Sequence, residues 1–121
     1  MAKILIVDDS PTEIHQLADI LARRGHEVIS AETGKEGIKL ADIEQPDLVL
    51  MDVVMPEMNG FQATRQITRG ERTRHIPVVI VSAKDQATDR VWGERQGASG
   101  YLTKPVKEAD LVAAIDEALG G

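Results

Sequence analysis

At 121 residues and 42% apolar content, the chain suits a single domain of about 100 to 200 residues with a proper core. One Trp, one Tyr and one Phe make that core aliphatic, and the lack of cysteine excludes a disulfide framework and thiolate chemistry. Twenty acidic against fourteen basic residues leave a net charge of −6, which argues against the basic face that a nucleic-acid backbone requires. No signal peptide or long apolar segment points to export or to a membrane, so the expected compartment is the cytoplasm.

In chain order, the first apolar run is Ile4 to Val7. A helix follows, with Ser10 as its cap, Pro11 at its first position, Glu13 completing a capping box and Gly25 as its stop. Its apolar residues Ile14, Leu17 and Leu21 repeat at helical spacing. Val28 to Ile29 reads as a second strand, and Lys35 to Ile43 as a second helix. Leu48 to Met51 is the third strand run, followed by a helix over Gly60 to Arg69. Val78 to Val81 precedes a helix over Ala87 to Arg95. The shorter run Tyr101 to Leu102 precedes a last helix over Glu108 to Leu119, with Leu111, Ile115 and Leu119 on one face. Continuous Val/Ile/Leu runs are those covered on both faces. Five of them alternating with helices imply an α/β, doubly wound five-stranded parallel sheet, for which the expected arrangement is the flavodoxin-like (βα)5 one, whose strand order is 2-1-3-4-5.

In such sheets ligands bind beyond the carboxyl ends of the strands, where the strand order reverses. The residues found there are Asp8 and Asp9 after the first run, Asp52 after the third, Ser82 after the fourth, and Thr103 and Lys104 after the fifth. In this strand order the first and third strands are neighbours, which brings Asp8, Asp9 and Asp52 together. Like charges that close need compensation, and a hard divalent cation such as Mg²⁺, which commonly takes one or two carboxylates, waters and phosphate oxygens, supplies it. Singly, each residue has a plainer reading. An Asp after a strand is most often a turn former or helix cap, Ser82 could cap the next helix, and Lys104 could be a solvated surface lysine. Four such accidents at four successive strand ends are improbable.

The acid pair in "VDD", the segment "MDVVMPEMNG" around Asp52, "VSA" with Ser82 and "GASGYLTKP" with Lys104 together resemble the receiver domain of two-component response regulators. The resemblance runs from Lys3 to about Leu119. More narrowly, "GFQATRQIT" and "KDQATDRVWGERQGA" resemble single-domain regulators of type IV pilus (twitching) signalling systems, the PilH type. The resemblance implies that Asp52 is the phosphorylation site, taking a phosphoryl group from a histidine kinase as an acyl phosphate. It implies Mg²⁺ bound by Asp9, Asp52 and the backbone carbonyl of Val54, with Asp8 acting through water. Lys104 would pair with Asp52 and then with the phosphoryl group, with a cis peptide bond before Pro105. Ser82 would sense the phosphoryl group and Tyr101 would follow it. The responding surface would be the fourth helix, fifth strand and fifth helix. Val54 and Lys84 hold the family's variable positions, and an apolar Val54 implies slow self-dephosphorylation.

Outside these motifs, Trp92 and Val91 fall in the fourth helix, where an exposed Trp92 would anchor a partner. The basic stretch "RGERTRH", Arg69 to His75, reads as a solvated loop with a docking role as the alternative. His15, His26 and His75 have no metal-ligand spacing among themselves. The sequence stops soon after the fifth helix, so residues 1 to 121 are expected to form one receiver domain without an effector domain. Output would then be a protein contact or the draining of phosphate from a shared kinase. A Mg²⁺-dependent phosphohydrolase with Asp52 as nucleophile is the alternative, although no insertion supplies a substrate-recognition cap. A nucleotide or flavin carrier should show a glycine-rich phosphate loop after the first strand; "VDDSPTE" offers two acids and no glycine there.

Overall fold

The computed structural model describes residues 1–120. Its elements alternate as the apolar runs require: β1 (Lys3–Val7), α1 (Pro11–Arg23), β2 (Glu27–Ala31), α2 (Gly34–Glu44), β3 (Leu48–Met51), α3 (Gly60–Arg69), β4 (Val78–Ser82), α4 (Ala87–Arg95), β5 (Gly100–Thr103) and α5 (Glu108–Ala118). The strands form one parallel sheet in the order β2-β1-β3-β4-β5. None of the helices among the described residues is long and apolar enough to cross a membrane.

Strand side chains alternate between faces, so each apolar run feeds two cores at once. Ile4 and Ile6 of β1 join Leu48, Leu50, Val79 and Val81 under α1 and α5, where Leu17, Leu21, Leu111 and Ile115 close the layer. Leu5, Val7, Val49, Met51 and Val78 fill the other layer against Ala41, Ala63 and Ile67 of α2 and α3. Each large aliphatic side chain buried in this way contributes roughly 1.5 to 3 kcal/mol. The expectation of strands covered on both faces holds for β1, β3 and β4, apart from half-buried Lys3 at the start of β1. It fails for the two edge strands: β2 is partly exposed and all four residues of β5 are half-buried. The weak covering of β5 follows from α4, whose single buried residue is Gly93.

The helix starts follow local chemistry with one revision. Ser10 Oγ accepts from the Glu13 amide at 3.3 Å, but the Ser10 amide donates to Asp8 Oδ1 at 2.9 Å and not to Glu13. The expected capping box of α1 is therefore half made, because a carboxylate two residues upstream takes the donor first. A complete box forms instead at α3, between Asn59 and Gln62. After Arg24, Gly25 takes a φ of +85° and ends α1. α2 begins one residue earlier and ends one later than the spacing suggests, and α5 stops at Ala118.

Candidate functional site

Three loops meet at the carboxyl edge of the sheet. Val7 of β1 lies opposite Met51 of β3, so the residues that follow each strand emerge side by side. Asp8, Asp9 and Asp52 thereby offer one carboxylate oxygen each within 4.8 Å of one another. Asp8 and Asp52 are buried, 2% and 6% exposed, while Asp9 is open to solvent. Asp52 is held by its neighbour, the Val53 amide donating to Asp52 Oδ1 at 2.9 Å.

Beneath Asp52 the backbone leaves no room for a side chain at Gly60. A Cβ there would lie 1.8 Å from the Asp52 carbonyl oxygen, and the Gly60 amide donates to the Val53 carbonyl at 2.9 Å. The glycine of "MPEMNG" thus lets the start of α3 close against the end of β3 and shape the loop that carries Val54. The Val54 side chain points away from the core, 58% exposed.

β5 delivers the cation. Lys104 Nζ donates to Asp8 Oδ2 at 2.8 Å, and lies 3.6 Å from Asp52 Oδ1 and 3.9 Å from Glu13 Oε2. The expected pairing of Lys104 with Asp52 is therefore secondary to its pairing with Asp8. The Lys104–Pro105 peptide bond is cis. Burial would lower the Lys104 pKa, but the hydrogen bond to Asp8 and the charges of Asp52 and Asp8 outweigh it, and the ammonium is held above its ordinary value. The Asp52 pKa is raised as well, which for an acid favours the neutral form: burial first, then the charge of Asp8, push it up to about 6, with Lys104 and the Val53 amide pulling it down. One lysine does not neutralise three carboxylates. A compact divalent cation coordinated by oxygen fits this donor set, and Asp8, Asp9, Asp52 and the Val54 carbonyl are the candidate ligands.

Ser82, fully buried at the end of β4, accepts from the Lys84 amide at 3.2 Å and does not cap α4, which begins after Gln86. The half-buried Tyr101 donates its hydroxyl to the Lys84 carbonyl at 2.6 Å, so Ser82 and Tyr101 grip the same loop from two sides. Burial is the main cause of the raised Tyr101 pKa. Sequence reasoning missed Arg90, whose guanidinium donates to the Tyr101 carbonyl at 3.3 Å and to Thr103 Oγ1 at 3.0 Å, and sits 5.0 Å from the Tyr101 ring centroid. That contact turns Thr103 toward α4. No local pattern signals it, since Arg90 reads as one more polar residue on an exposed helix. The coupling of Asp8 to Ser10 was legible in principle, because an Asp two residues before a free amide commonly makes such a turn. Trp92 and Val91 are exposed, 53% and 47%, and Trp92 carries Arg95 at 5.9 Å from its ring.

The chain is similar to known proteins in sequence and in fold. The chain is 59% identical to protein PilH of Pseudomonas aeruginosa over 121 residues, all of both chains. Its fold is similar to that of the chemotaxis protein CheY4 of Vibrio cholerae, with a TM-score of 0.91 at 28% identity over 98% of each chain. It is also similar to the receiver domain of a sensor histidine kinase from Pseudomonas aeruginosa, which carries a magnesium ion in its active site cleft (TM-score 0.90, 29% identity, 99% of this chain and 98% of that one). Residues 4–116 match the response regulator receiver domain, and the chain belongs to that family.

Proposed function

We propose that the protein is a stand-alone phospho-acceptor that takes a phosphoryl group from a histidine kinase onto Asp52. The observation that carries this reading is the meeting of Asp8, Asp9 and Asp52 oxygens within 4.8 Å, with Lys104 3.6 Å from Asp52. A carboxylate oxygen of Asp52 attacks phosphorus, the P–N bond to the donor imidazole breaks, and its electron pair stays on the imidazole nitrogen. The product is an acyl phosphate. Positioning and electrostatics supply most of the rate in phosphoryl transfer, and bound Mg²⁺ offsets charge on the transferring oxygens. Asp9, Asp52 and the Val54 carbonyl would hold that ion directly and Asp8 would hold it through water. Lys104 then leaves Asp8 for the phosphoryl oxygens, a short move for an ammonium already 3.6 Å from Asp52. A groove of about 560 Å³ between α1 and the loop after β5, lined by Leu17, Ile20, Pro105 and Val106 beside Lys104, offers the phosphodonor an apolar seat.

The new group adds roughly −1.5 to −2 charges and three strong acceptors. In this reading Ser82 donates its hydroxyl to one of those oxygens and Tyr101 shifts with the Lys84 loop. The change passes to α4, β5 and α5, where exposed Trp92 is available to a partner. The motif resemblance and the full-length similarity to PilH support a role in chemotaxis-like control of type IV pilus motility, either as a direct switch or as a phosphate sink. Intact mass after incubation with Mg²⁺ and acetyl phosphate tests the chemistry. One phosphoryl adduct is expected, absent without metal and absent in Asp52→Asn; an equal adduct on Asp52→Asn would overturn the assignment.

A further inference from the structure

At the opposite end of the sheet from the aspartates, the ends of α3 and α4 and the loop entering β4 border a further, open depression. Its volume is about 430 Å³, within the range of small-molecule pockets. Arg69, Arg74, His75 and Arg95 line it, and among the described residues no carboxylate does. That is unexpected in a chain with twenty acidic residues against fourteen basic ones. Of the five arginines outside the site, three find acids: Arg23 meets Asp19 at 3.4 Å, Arg24 meets Glu108 at 2.8 Å and Arg72 meets Asp42 at 2.6 Å. Arg69, Arg74 and Arg95 make no ion pair among the described residues.

The walls are fixed. Thr68 Oγ1 donates to the Gln96 carbonyl at 2.5 Å and ties the end of α3 to the end of α4. Gly97 packs so closely on Thr68 that a Cβ would lie 2.7 Å from its hydroxyl. Thr73 Oγ1 donates to the Ile67 carbonyl at 2.7 Å and anchors the loop that presents Arg74 and His75. Gln96 lines the pocket at 9% exposure, and its side-chain amide has no hydrogen-bond partner among the described residues.

We propose that this pocket binds a compact, multiply charged phosphate-bearing anion. Guanidinium groups match phosphate oxygens in paired hydrogen bonds, and the Gln96 amide adds a neutral donor at the floor. The modest volume favours a free small molecule over a lipid headgroup in a membrane plane. The site shares no residue with the aspartate cluster, so its occupation does not depend on Asp52 chemistry.

The protein carries its own reporter, because its single Trp is Trp92 and the Arg95 guanidinium lies 5.9 Å from its ring centroid. Pyrophosphate titrated in EDTA at constant ionic strength should change Trp92 emission saturably, and equally in Asp52→Asn. The double variant Arg69→Gln/Arg74→Gln leaves the reporter intact and alters only exposed side chains; it should weaken binding by about tenfold or more. No saturable change, a change that matched chloride reproduces, or an unaltered titration in the double variant would overturn the proposal. So would sedimentation with phosphatidylglycerol vesicles that pyrophosphate does not compete away, since the ligand would then be a membrane surface.

Discussion

Lys104 reaches across the sheet to Asp8 at 2.8 Å, linking the end of β5 to the end of β1 over two intervening strands. The contact joins a lysine whose side chain is 15% exposed to a carboxylate that is 3% exposed. Removing one partner of such a pair leaves the other buried and uncompensated, at a cost of about 3 kcal/mol. Lys104→Ala should therefore destabilise the metal-free protein by that order, read from the urea midpoint in EDTA. The same change removes a cation competing for Asp8, so Mg²⁺ should bind several-fold tighter and restore most of the lost stability. Weaker Mg²⁺ binding in the variant would mean that Lys104 organises the carboxylates instead of competing for them.

The raised pKa of Asp52 gives the metal-free protein a characteristic pH dependence. Its ordinary value is 3.8 and the folded value about 6, so the folded state binds this proton more tightly than the unfolded chain does. The stabilisation from Asp52 is then complete below pH 3.8 and is lost as pH rises through 6, for at most about 3 kcal/mol. Asp52→Asn keeps the shape and cannot ionise, so it should flatten this slope and be the more stable protein at pH 7 in EDTA. Urea denaturation at several pH values between 4 and 7 checks this. Equal slopes in the two proteins would contradict it.

Gly60 supports the same site sterically. With a Cβ placed 1.8 Å from the Asp52 carbonyl oxygen, Gly60→Ala must push the loop after β3 away from α3. The expected loss is about 3 kcal/mol, at the upper end of ordinary overpacking, because the obstacle is backbone. Mg²⁺ affinity should fall as well, since the displaced loop carries the Val54 carbonyl. A stable variant with unchanged Mg²⁺ titration would show that the loop relaxes without moving the ligands.

The fold was legible because the central strands are buried on both faces, and their Val/Ile/Leu runs are too short for helices and rich in β-branched residues. The site was legible because its residues directly follow those runs, so strand order alone brings Asp8, Asp9 and Asp52 to one edge. What sequence did not show depends on competition in three dimensions. "SPTE" reads as a capping box until Asp8 takes the Ser10 amide, and Glu13 is left 3.9 Å from Lys104. Likewise "TKP" locates Lys104 at the site but does not rank Asp8 above Asp52 as its partner. The edge strand β5 gave a run of only two apolar residues, and α4 covers it with little more than Gly93 and the Arg90 side chain.

Val54 is expected to set the lifetime of the acyl phosphate. Its exposed side chain stands at the mouth of the site and carries no group that orients an attacking water. Val54→Asn supplies such a group and should shorten the phosphoryl half-life several-fold, followed by the decay of the adduct mass after removal of acetyl phosphate. A longer half-life would assign Val54 a different part.

Arg90 ties Tyr101 to α4 through the Tyr101 carbonyl, the Thr103 hydroxyl and the aromatic face. One of these contacts holds the backbone of β5 and a second the Thr103 side chain, whereas the third rests on the ring that the proposed switch would move. Tyr101 is the only tyrosine, so fluorotyrosine incorporation gives a single ¹⁹F resonance to follow. In the wild type that resonance should report one dominant environment, with the hydroxyl on the Lys84 carbonyl. Arg90→Ala removes exposed contacts, so the stability loss should be about 1 kcal/mol or less. The resonance should nevertheless broaden or split as the ring gains a second, solvent-facing position. The expected outcome is thus a large spectroscopic change with a small thermodynamic one. A sharp, unshifted line in Arg90→Ala would mean that the Lys84 carbonyl alone holds Tyr101, and would place the latch on the loop after β4 instead of on α4.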